Sequence, residues 1–287
     1  MPSLKEVQLK IRGVKQTKKI TKAMNMVATS KLRGAQMSME AFRPYADKFA
    51  EVLGSLAAKA GEDSSPLLVI VLFTSDRGLC GGFNAHLIRV AEEYMEQCRE
   101  KGVEVSFTNF GKKGRDWCKK TPCEITGEYI GVVGGRFGFN VAVSSARELI
   151  KGFLDGRYDE VQIVYSRFQS VSKQVAAMKQ LLPIPPIAVE KTDVQKGGAF
   201  MAEHICEPSA EEILEAMLPK NISIQIYKAL LETSTSEHAA RMLAMDNASK
   251  ACSDMIDELT LLFNKARQAA ITAELMDIVG GAEALKG

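Results

Sequence analysis

The sequence is poor in metal-binding residues and in long apolar runs. It has three histidines, and none of its six cysteines forms a C-x-x-C pair, so we predict no metal site. The closest cysteines are Cys118 and Cys123, for which a redox-regulatory pair stays open beside the simpler interpretation of reduced thiols. The sequence contains no run of eighteen apolar residues, which is the length that a membrane-spanning helix needs. No apolar core of a signal peptide follows the basic N-terminus.

Charge is distributed unevenly although the net charge is only +2. Residues 1–33 carry nine Lys or Arg against one acid, whereas residues 209–287 carry seven bases against twelve acids. Oppositely biased ends favour pairing with each other, or docking on partners of complementary charge.

Residues 3–60 have the periodicity of one long helix, about 85 Å at 1.5 Å per residue. Ser3 and Glu6 form a capping-box pattern at its start, and Pro44 should bend it or end its straight part. The apolar positions recur every three or four residues, with a polar step at Lys18 and Thr21. They are Leu4, Val7, Ile11, Val14, Met24, Val27, Leu32, Ala35, Met39, Phe42, Phe49, Val52 and Leu56.

Residues 67–189 change to alternating strands and helices. The run 67–73 is continuously apolar and predicts a strand buried on both faces. Further strands are predicted at 103–110, 124–130, 159–168 and 174–184, with helices at 85–101, around Trp117 and at 140–155. Such alternation indicates an α/β domain with a largely parallel sheet.

The C-terminal segment is helical again, with a short helix predicted at 209–218 and a new one starting at Pro219. A strict 3.5-residue repeat then indicates a coiled coil. Its positions are Met245, Ala248, Cys252, Met255, Leu259, Leu262, Ala266 and Ala269.

The predicted fold is therefore α/β: a long antiparallel coiled coil of the N- and C-terminal helices plus an inserted Rossmann-like α/β domain. We divide the chain into an N-terminal coiled-coil helix (1–62), the α/β domain (66–190), a connection (191–208) and the C-terminal coiled-coil helices (209–287).

The loop SDRGLCGGFN (75–84) follows a strand and precedes a helix, as a phosphate-binding loop does. It lacks the Lys-Ser/Thr of a P-loop and the spacing G-x-G-x-x-G, so we predict no cofactor and no direct nucleotide binding. Gly78, Gly81 and Gly82 are instead expected to permit a tight turn with positive φ, and Asn84 to cap the next helix.

Two other functional classes deserve comparison. A doubly wound nucleotide-binding enzyme would suit the α/β segment, but no nucleophile elbow, HExxH or Walker lysine is present. A basic helical nucleic-acid binder would suit residues 5–33, but the lysines there accompany a regular apolar stripe without aromatic residues.

Three segments carry a resemblance to the gamma subunits of F-type ATP synthases. They are SLKEVQLKIRGVKQTKKITKAMNMVATSKLRGAQ (3–36), SDRGLCGGFN (75–84), and the pair SEHAARMLAMDNASKA (236–251) and DELTLLFNKARQAAITAELMDIVGGAEAL (257–285). The resemblance implies a central-stalk rotor that couples proton flow to ATP synthesis by rotation, regulates ATPase activity and proton flow, and has no catalytic residues of its own.

The implied partners are the alpha and beta subunits of the catalytic ring, the epsilon subunit and the c-ring. The implied location is peripheral, on the cytoplasmic side of a bacterial inner membrane. The motif matches place contacts with a beta-subunit loop at Met24, Lys19, Lys22, Arg267 and Gln268. Cys206 stands where the family has an aromatic residue before Glu207-Pro208, so epsilon and c-ring contacts are not assigned there.

Overall fold

A computed structural model describes residues 3–56, 67–135, 137–184 and 210–284. The connection predicted at 191–208 and the domain boundaries near 62, 66, 190 and 209 lie outside these residues, so that division stays a prediction. The elements are α1 (Leu4–Leu56), β1 (Leu67–Phe73), α2 (Phe83–Glu100), β2 (Glu104–Phe110), α3 (Lys112–Cys118), β3 (Glu124–Tyr129), α4 (Phe139–Leu154), β4 (Glu160–Phe168), β5 (Gln174–Leu182) and α5 (Ala210–Ala284).

The contacts divide the chain into two compact units. We call Met1–Thr29 with Arg241–Gly287 the coil unit, and Ser30–Ala240 the sheet unit. None of the described helices combines the length and the apolar composition that crossing a bilayer requires.

Helix α1 begins with the predicted capping box. The Ser3 backbone N–H donates to Glu6 Oε2 at 3.1 Å, and the Glu6 N–H donates to Ser3 Oγ at 3.3 Å. Each side chain thereby satisfies a backbone donor that the first helical turn would leave unpaired.

Neither proline ends its helix. Helix α1 continues through Pro44 to Leu56, and α5 is one helix from Ala210 through Pro219 to Ala284. The prediction of a short helix at 209–218 followed by a new one is therefore wrong. An internal proline costs about 3 kcal/mol. Pro219 is exposed, and the burial of α5 from Asn221 onward offsets that cost.

The α1 side of the coil unit keeps a regular seam through the predicted polar step. Val7, Thr21 and Ala28 are buried, and Lys18 is half-buried. Val27, predicted in the seam, is 57% exposed because Ala28 lies on the inner face instead. A small alanine allows the helices to approach closely, so the larger neighbouring valine faces solvent.

On α5, three of the eight predicted seam positions are displaced by one residue. Five of the predicted residues are at least half-buried: Met245, Ala248, Cys252, Leu259 and Ala266. Met255, Leu262 and Ala269 are exposed. The positions between the correct ones are taken by Ser249, Ile256, Phe263 and Ala270, all half-buried. Both patterns have a 3.5-residue repeat, and apolar side chains occupy both except at Ser249, so periodicity alone could not choose between them.

The sheet unit contains five strands in the order β3-β2-β1-β4-β5. The pairs β1–β2, β2–β3 and β1–β4 are parallel, and β5 is antiparallel to β4, which confirms the largely parallel sheet. Alternate residues of β1 belong to two cores. Val69, Val71 and Phe73 pack with α4 and α5, whereas Leu68, Ile70 and Leu72 pack with α2 and α3.

The register of the coil can be tested with two neighbouring substitutions in the full chain. Ile256→Ala should lower the free energy of unfolding of the coil by about 1–2 kcal/mol, because a partly buried side chain is lost. Met255→Ala, the matched control on the exposed face, should cost less than about 0.5 kcal/mol. Denaturation followed by helical circular dichroism measures both, and equal losses would contradict the register.

Candidate functional site

The loop between β1 and α2 is closed by its own hydrogen bonds. The Ser75 backbone N–H donates to Asn84 Oδ1 at 2.9 Å, and Asn84 Nδ2 donates to Cys80 Sγ at 3.2 Å. Asn84 lies inside the first turn of α2, whose N-cap is Gly82 without a side-chain cap. Asn84 therefore fastens the loop to the end of β1 and does not cap the helix as predicted.

The predicted glycine conformations hold at one position of three. Gly81 has φ 59°, but positive φ is not found at Gly78 or Gly82, and Leu79 adopts φ 64° instead. At Gly82 a Cβ would lie only 3.1 Å from the ring of the exposed His86, which would have to shift slightly. The chain thus uses these glycines for one left-handed turn and one close approach, and accepts strain at a leucine.

The backbone donors near this loop are also engaged. The Lys112 N–H donates to Asp76 Oδ1 at 3.0 Å, and the Lys113 N–H donates to the Ser75 carbonyl at 3.1 Å. A phosphate-binding loop presents such N–H groups, and no acidic oxygen, to its anion. The loop geometry therefore favours the structural role over the phosphate-binding one.

The crevice beyond β1 and β4 is the place where an open α/β sheet usually binds its ligand. The sheet order reverses between these strands, and ligands bind outside the carboxyl ends at such a switch point. Pairing of β1 with β4 ends at Leu72 and Val164, whereas β4 continues to Phe168. The edge of β4 from Tyr165 onward consequently lacks a neighbouring strand on the β1 side.

Side chains of α5 and α1 satisfy this edge. The Ser166 N–H donates to Thr233 Oγ1 at 3.2 Å, and Ser236 Oγ donates to the Ser166 carbonyl at 3.3 Å. Arg43 Nη2 donates to the Phe168 carbonyl at 3.3 Å. Helix side chains therefore replace the missing strand, and the switch-point crevice is filled by the chain itself.

This arrangement explains an unusual stretch of α5. Seven consecutive polar residues, 232–238, are buried in the middle of the helix. Buried polar groups need hydrogen-bond partners, and the strand edge supplies them for Thr233 and Ser236. Thr235 Oγ1 donates to the carbonyl of Leu231 in its own helix at 2.8 Å.

Glu232 brings a buried carboxylate into this contact. Burial raises its pKa, while nearby Lys228, Arg43 and Arg167 and a backbone hydrogen bond from Phe168 oppose the increase. Its nearest cation is Arg43, whose Nη2 lies 4.0 Å from Glu232 Oε1. Desolvation is the larger effect because the side chain of Glu232 is only 5% exposed.

The residues predicted to contact a partner all lie in the coil unit, but not together. Met24 is half-buried beside Asn25, whose Nδ2 donates to the Met242 carbonyl at 2.8 Å, and Lys19 and Lys22 are exposed. Arg267 and Gln268 are exposed on α5. Because the helices are antiparallel at the Asn25 contact, Met24 and Arg267 are separated by about 35 Å along the coil.

Apolar side chains remain uncovered next to Arg267 and Gln268. Every described side chain from Ile271 to Ala282 is exposed. Five are large and apolar, with exposures of 49–68%: Ile271, Leu275, Met276, Ile278 and Val279. Such a concentration of exposed apolar area marks a contact surface for another protein.

The two closest cysteines are poor candidates for redox chemistry. Burial raises the pKa of the Cys118 thiol to about 11, and burial also raises the pKa of Cys123. Both groups therefore stay thiols near neutral pH, whereas reactive cysteines need thiolate character. These directions favour the interpretation of reduced thiols, and the five described cysteines are free.

Sequence reasoning missed the residues that fill the crevice, namely Arg43, Glu232, Thr233 and Ser236. The signal in the sequence was the polar run ETSTSEH (232–238), which interrupts the apolar pattern of the C-terminal helix. By itself a polar run of this kind is typical of a solvated helix, so only the burial of all seven residues identifies it as a segment with specific partners.

Comparisons with known proteins agree along the whole chain. A family model described as ATP synthase matches residues 3–285. The ATP synthase gamma chain of Desulfosudis oleivorans is 74% identical, and that of Desulforapulum autotrophicum is 59% identical; the alignments cover 100% and 99% of this chain and 100% of each relative.

Solved structures share the fold at low sequence identity. A chain of the Euglena gracilis mitochondrial ATP synthase, described as OSCP/F1/c-ring, has a TM-score of 0.71 at 20% identity, covering 98% of this chain and 94% of that one. A chain of the Tetrahymena thermophila mitochondrial ATP synthase, described as central stalk/c-ring, has a TM-score of 0.60 at 24% identity, covering 80% and 99%.

Two isosteric substitutions test whether α5 satisfies the edge of β4. Thr233→Val should lower the free energy of unfolding by about 1–3 kcal/mol, because the buried Ser166 N–H loses its acceptor. Thr235→Val is the control, since that buried hydroxyl bonds only within its own helix, and it should cost less than about 1 kcal/mol. Equilibrium denaturation of the full chain measures both. A similar loss in the two variants would mean that the strand edge does not need Thr233.

Proposed function

This chain belongs to the ATP synthase gamma chain family, and from that premise we propose that it is the central-stalk rotor of an F-type ATP synthase. In this role it couples proton flow through the membrane sector to ATP synthesis in the alpha/beta ring by rotation, and it regulates ATPase activity and proton flow. The observation that carries the proposal is 74% identity to a gamma chain over the full length of both proteins.

The surface of the coil unit supports this role. A rotor must contact its ring through a surface that is left uncovered in the isolated subunit. The exposed apolar residues of α5 between Ile271 and Val279 provide such a surface, and the basic residues of α1 provide charge for acidic partners. A rigid element of this kind changes its partners through packing and charge in alternative arrangements.

The chain acts without catalysis of its own and binds no nucleotide. Support comes from the switch-point crevice, where Thr233 and Ser236 occupy the strand edge that a nucleotide would approach in a doubly wound enzyme. ATP hydrolysis and synthesis then belong to the partner subunits.

Its partners are the alpha and beta subunits, the epsilon subunit and the c-ring. The related structures from Euglena and Tetrahymena are described together with F1 or the c-ring. The protein is peripheral to the membrane on the cytoplasmic side of a bacterial inner membrane, which the bacterial source of the similar gamma chains supports.

Met24, Lys19, Lys22, Arg267 and Gln268 contact the beta subunit. Lys19, Lys22, Arg267 and Gln268 are exposed, as a contact with another chain requires. The separation of Met24 from Arg267 along the coil means that they reach different levels of the ring. Arg267 presents a planar fork of donors to a carboxylate, and Gln268 adds an amide beside it.

Co-purification tests the proposed function. The tagged chain, expressed with alpha and beta subunits, should bring both down in a complex that hydrolyses ATP, while the chain alone should hydrolyse none. Recovery of the chain without these subunits, or ATPase activity in the isolated chain, would refute the proposal.

The beta-subunit contact is tested in the assembled enzyme. Arg267→Ala with Gln268→Ala should lower ATP-driven proton pumping relative to hydrolysis, or weaken assembly, by about 10-fold, because two donors to the ring are lost. Lys265→Ala, a nearby exposed position, serves as the control and should change little. If the double variant assembles and pumps like the native enzyme, the assigned contact is wrong.

A further inference from the structure

Arg43 is placed differently from the other charged residues that connect α1 with α5. Its Nη2 atom donates to the Phe168 carbonyl at 3.3 Å and lies 4.0 Å from Glu232 Oε1. The same guanidinium thus contacts the end of β4 and the buried polar stretch of α5 while belonging to α1. Arginine suits this position because its rigid fork of donors serves two acceptors at once.

We propose that Arg43 is a positioning residue for rotary coupling, which ties α1 both to the end of β4 and to the buried polar stretch of α5, so that the three elements keep one arrangement. The inference rests on the proposed rotor function. It adds a residue inside the sheet unit, away from the contacts that the family motifs assign.

The contact is buried mainly on the side of Glu232. The side chain of Arg43 is 40% exposed, but that of Glu232 is only 5% exposed and cannot exchange its partner for water. If Arg43 were removed, the buried carboxylate would lose its nearest cation and the Phe168 carbonyl would lose a donor. Removing one partner of a buried ion pair destabilises the folded protein strongly, because it leaves an uncompensated buried charge. The arrangement in which Arg43 stays beside Glu232 is therefore preferred.

A second ion pair between the same helices lacks these properties. Lys228 Nζ lies 2.8 Å from Asp47 Oδ1, closer than the Arg43–Glu232 pair, but these side chains are 37% and 64% exposed. No hydrogen bond joins this pair to β4 among the described residues. Exposed pairs of this kind contribute little. Because Lys228 also acts on the buried Glu232, its exposed partner Asp47 provides the matched control.

The contact can influence coupling because α5 is one continuous helix. It carries Glu232 in the sheet unit and Arg267 in the coil unit. A twist applied to one part of a helix is transmitted only if the other part is held against its support. Loss of the Arg43 contacts would leave α5 held to β4 by Thr233 and Ser236 but would let α1 move relative to both, so part of the rotation would be lost before reaching the ring.

The test uses the complete ATP synthase reconstituted in vesicles, with the ratio of ATP-driven proton pumping to ATP hydrolysis as the readout. Arg43→Met should lower this ratio by about threefold or more. Asp47→Asn, which removes only the exposed ion pair, should leave it at the native value. An unchanged ratio in Arg43→Met, or an equal decrease in Asp47→Asn, would overturn the proposal.

A double variant covers the case in which Arg43→Met does not assemble. Arg43→Met with Glu232→Met replaces both charges by apolar side chains, a change that is often neutral for stability. We expect this variant to assemble and yet to keep a low pumping ratio, since the Phe168 carbonyl still lacks its donor. Assembly with a native ratio would show that Arg43 serves stability alone.

The proposed function and this inference fail separately. Native chain that forms an active, pumping complex supports the rotor role whatever the Arg43 variants do. Native chain that forms no such complex refutes the rotor role and the inference together.

Discussion

Strand β4 extends past the end of β1, and the backbone groups on its uncovered edge must find partners inside the protein. Unpaired backbone groups that are buried cost as much as lost hydrogen bonds, so this edge constrains everything around it. Thr233 and Ser236 of α5 satisfy Ser166, and Arg43 of α1 satisfies Phe168. The long helices are thereby fixed to the sheet by polar contacts as well as by apolar packing.

The same contacts change what the fold can do. A doubly wound sheet offers a ligand site where its strand order reverses, and many enzymes of this architecture use it. Here the site is occupied by a helix of the same chain, with Glu232 buried beside it. The sheet edge at which nucleotide-binding enzymes of this architecture hold their ligand here binds two helices of the same chain. This suits a protein that moves its partners.

In the coil unit, by contrast, many side chains stay exposed. Its seam mixes small side chains such as Ala28 and Ala266 with larger ones such as Met245 and Phe263, and large apolar residues near its C-terminal end stay exposed. A core that buried these residues within the chain would be more stable in isolation. Their exposure is consistent with a surface completed by the surrounding subunits of the proposed complex.

The sequence by itself determined the elements, because periodicity is a local property. The run 67–73, the capping box of Ser3 and Glu6, and the alternation that predicts a parallel sheet all depend on neighbouring residues. The family motifs determined the proposed function in the same way. Tertiary structure decided the points on which local patterns allow more than one answer. These are the choice of Ile256 over Met255 for the seam, the continuation of α5 through Pro219, and the partners of the buried polar run. Each depends on groups distant in sequence, such as the free edge of Ser166 opposite Thr233, and a hydrogen bond between such groups leaves no periodic signal in the chain.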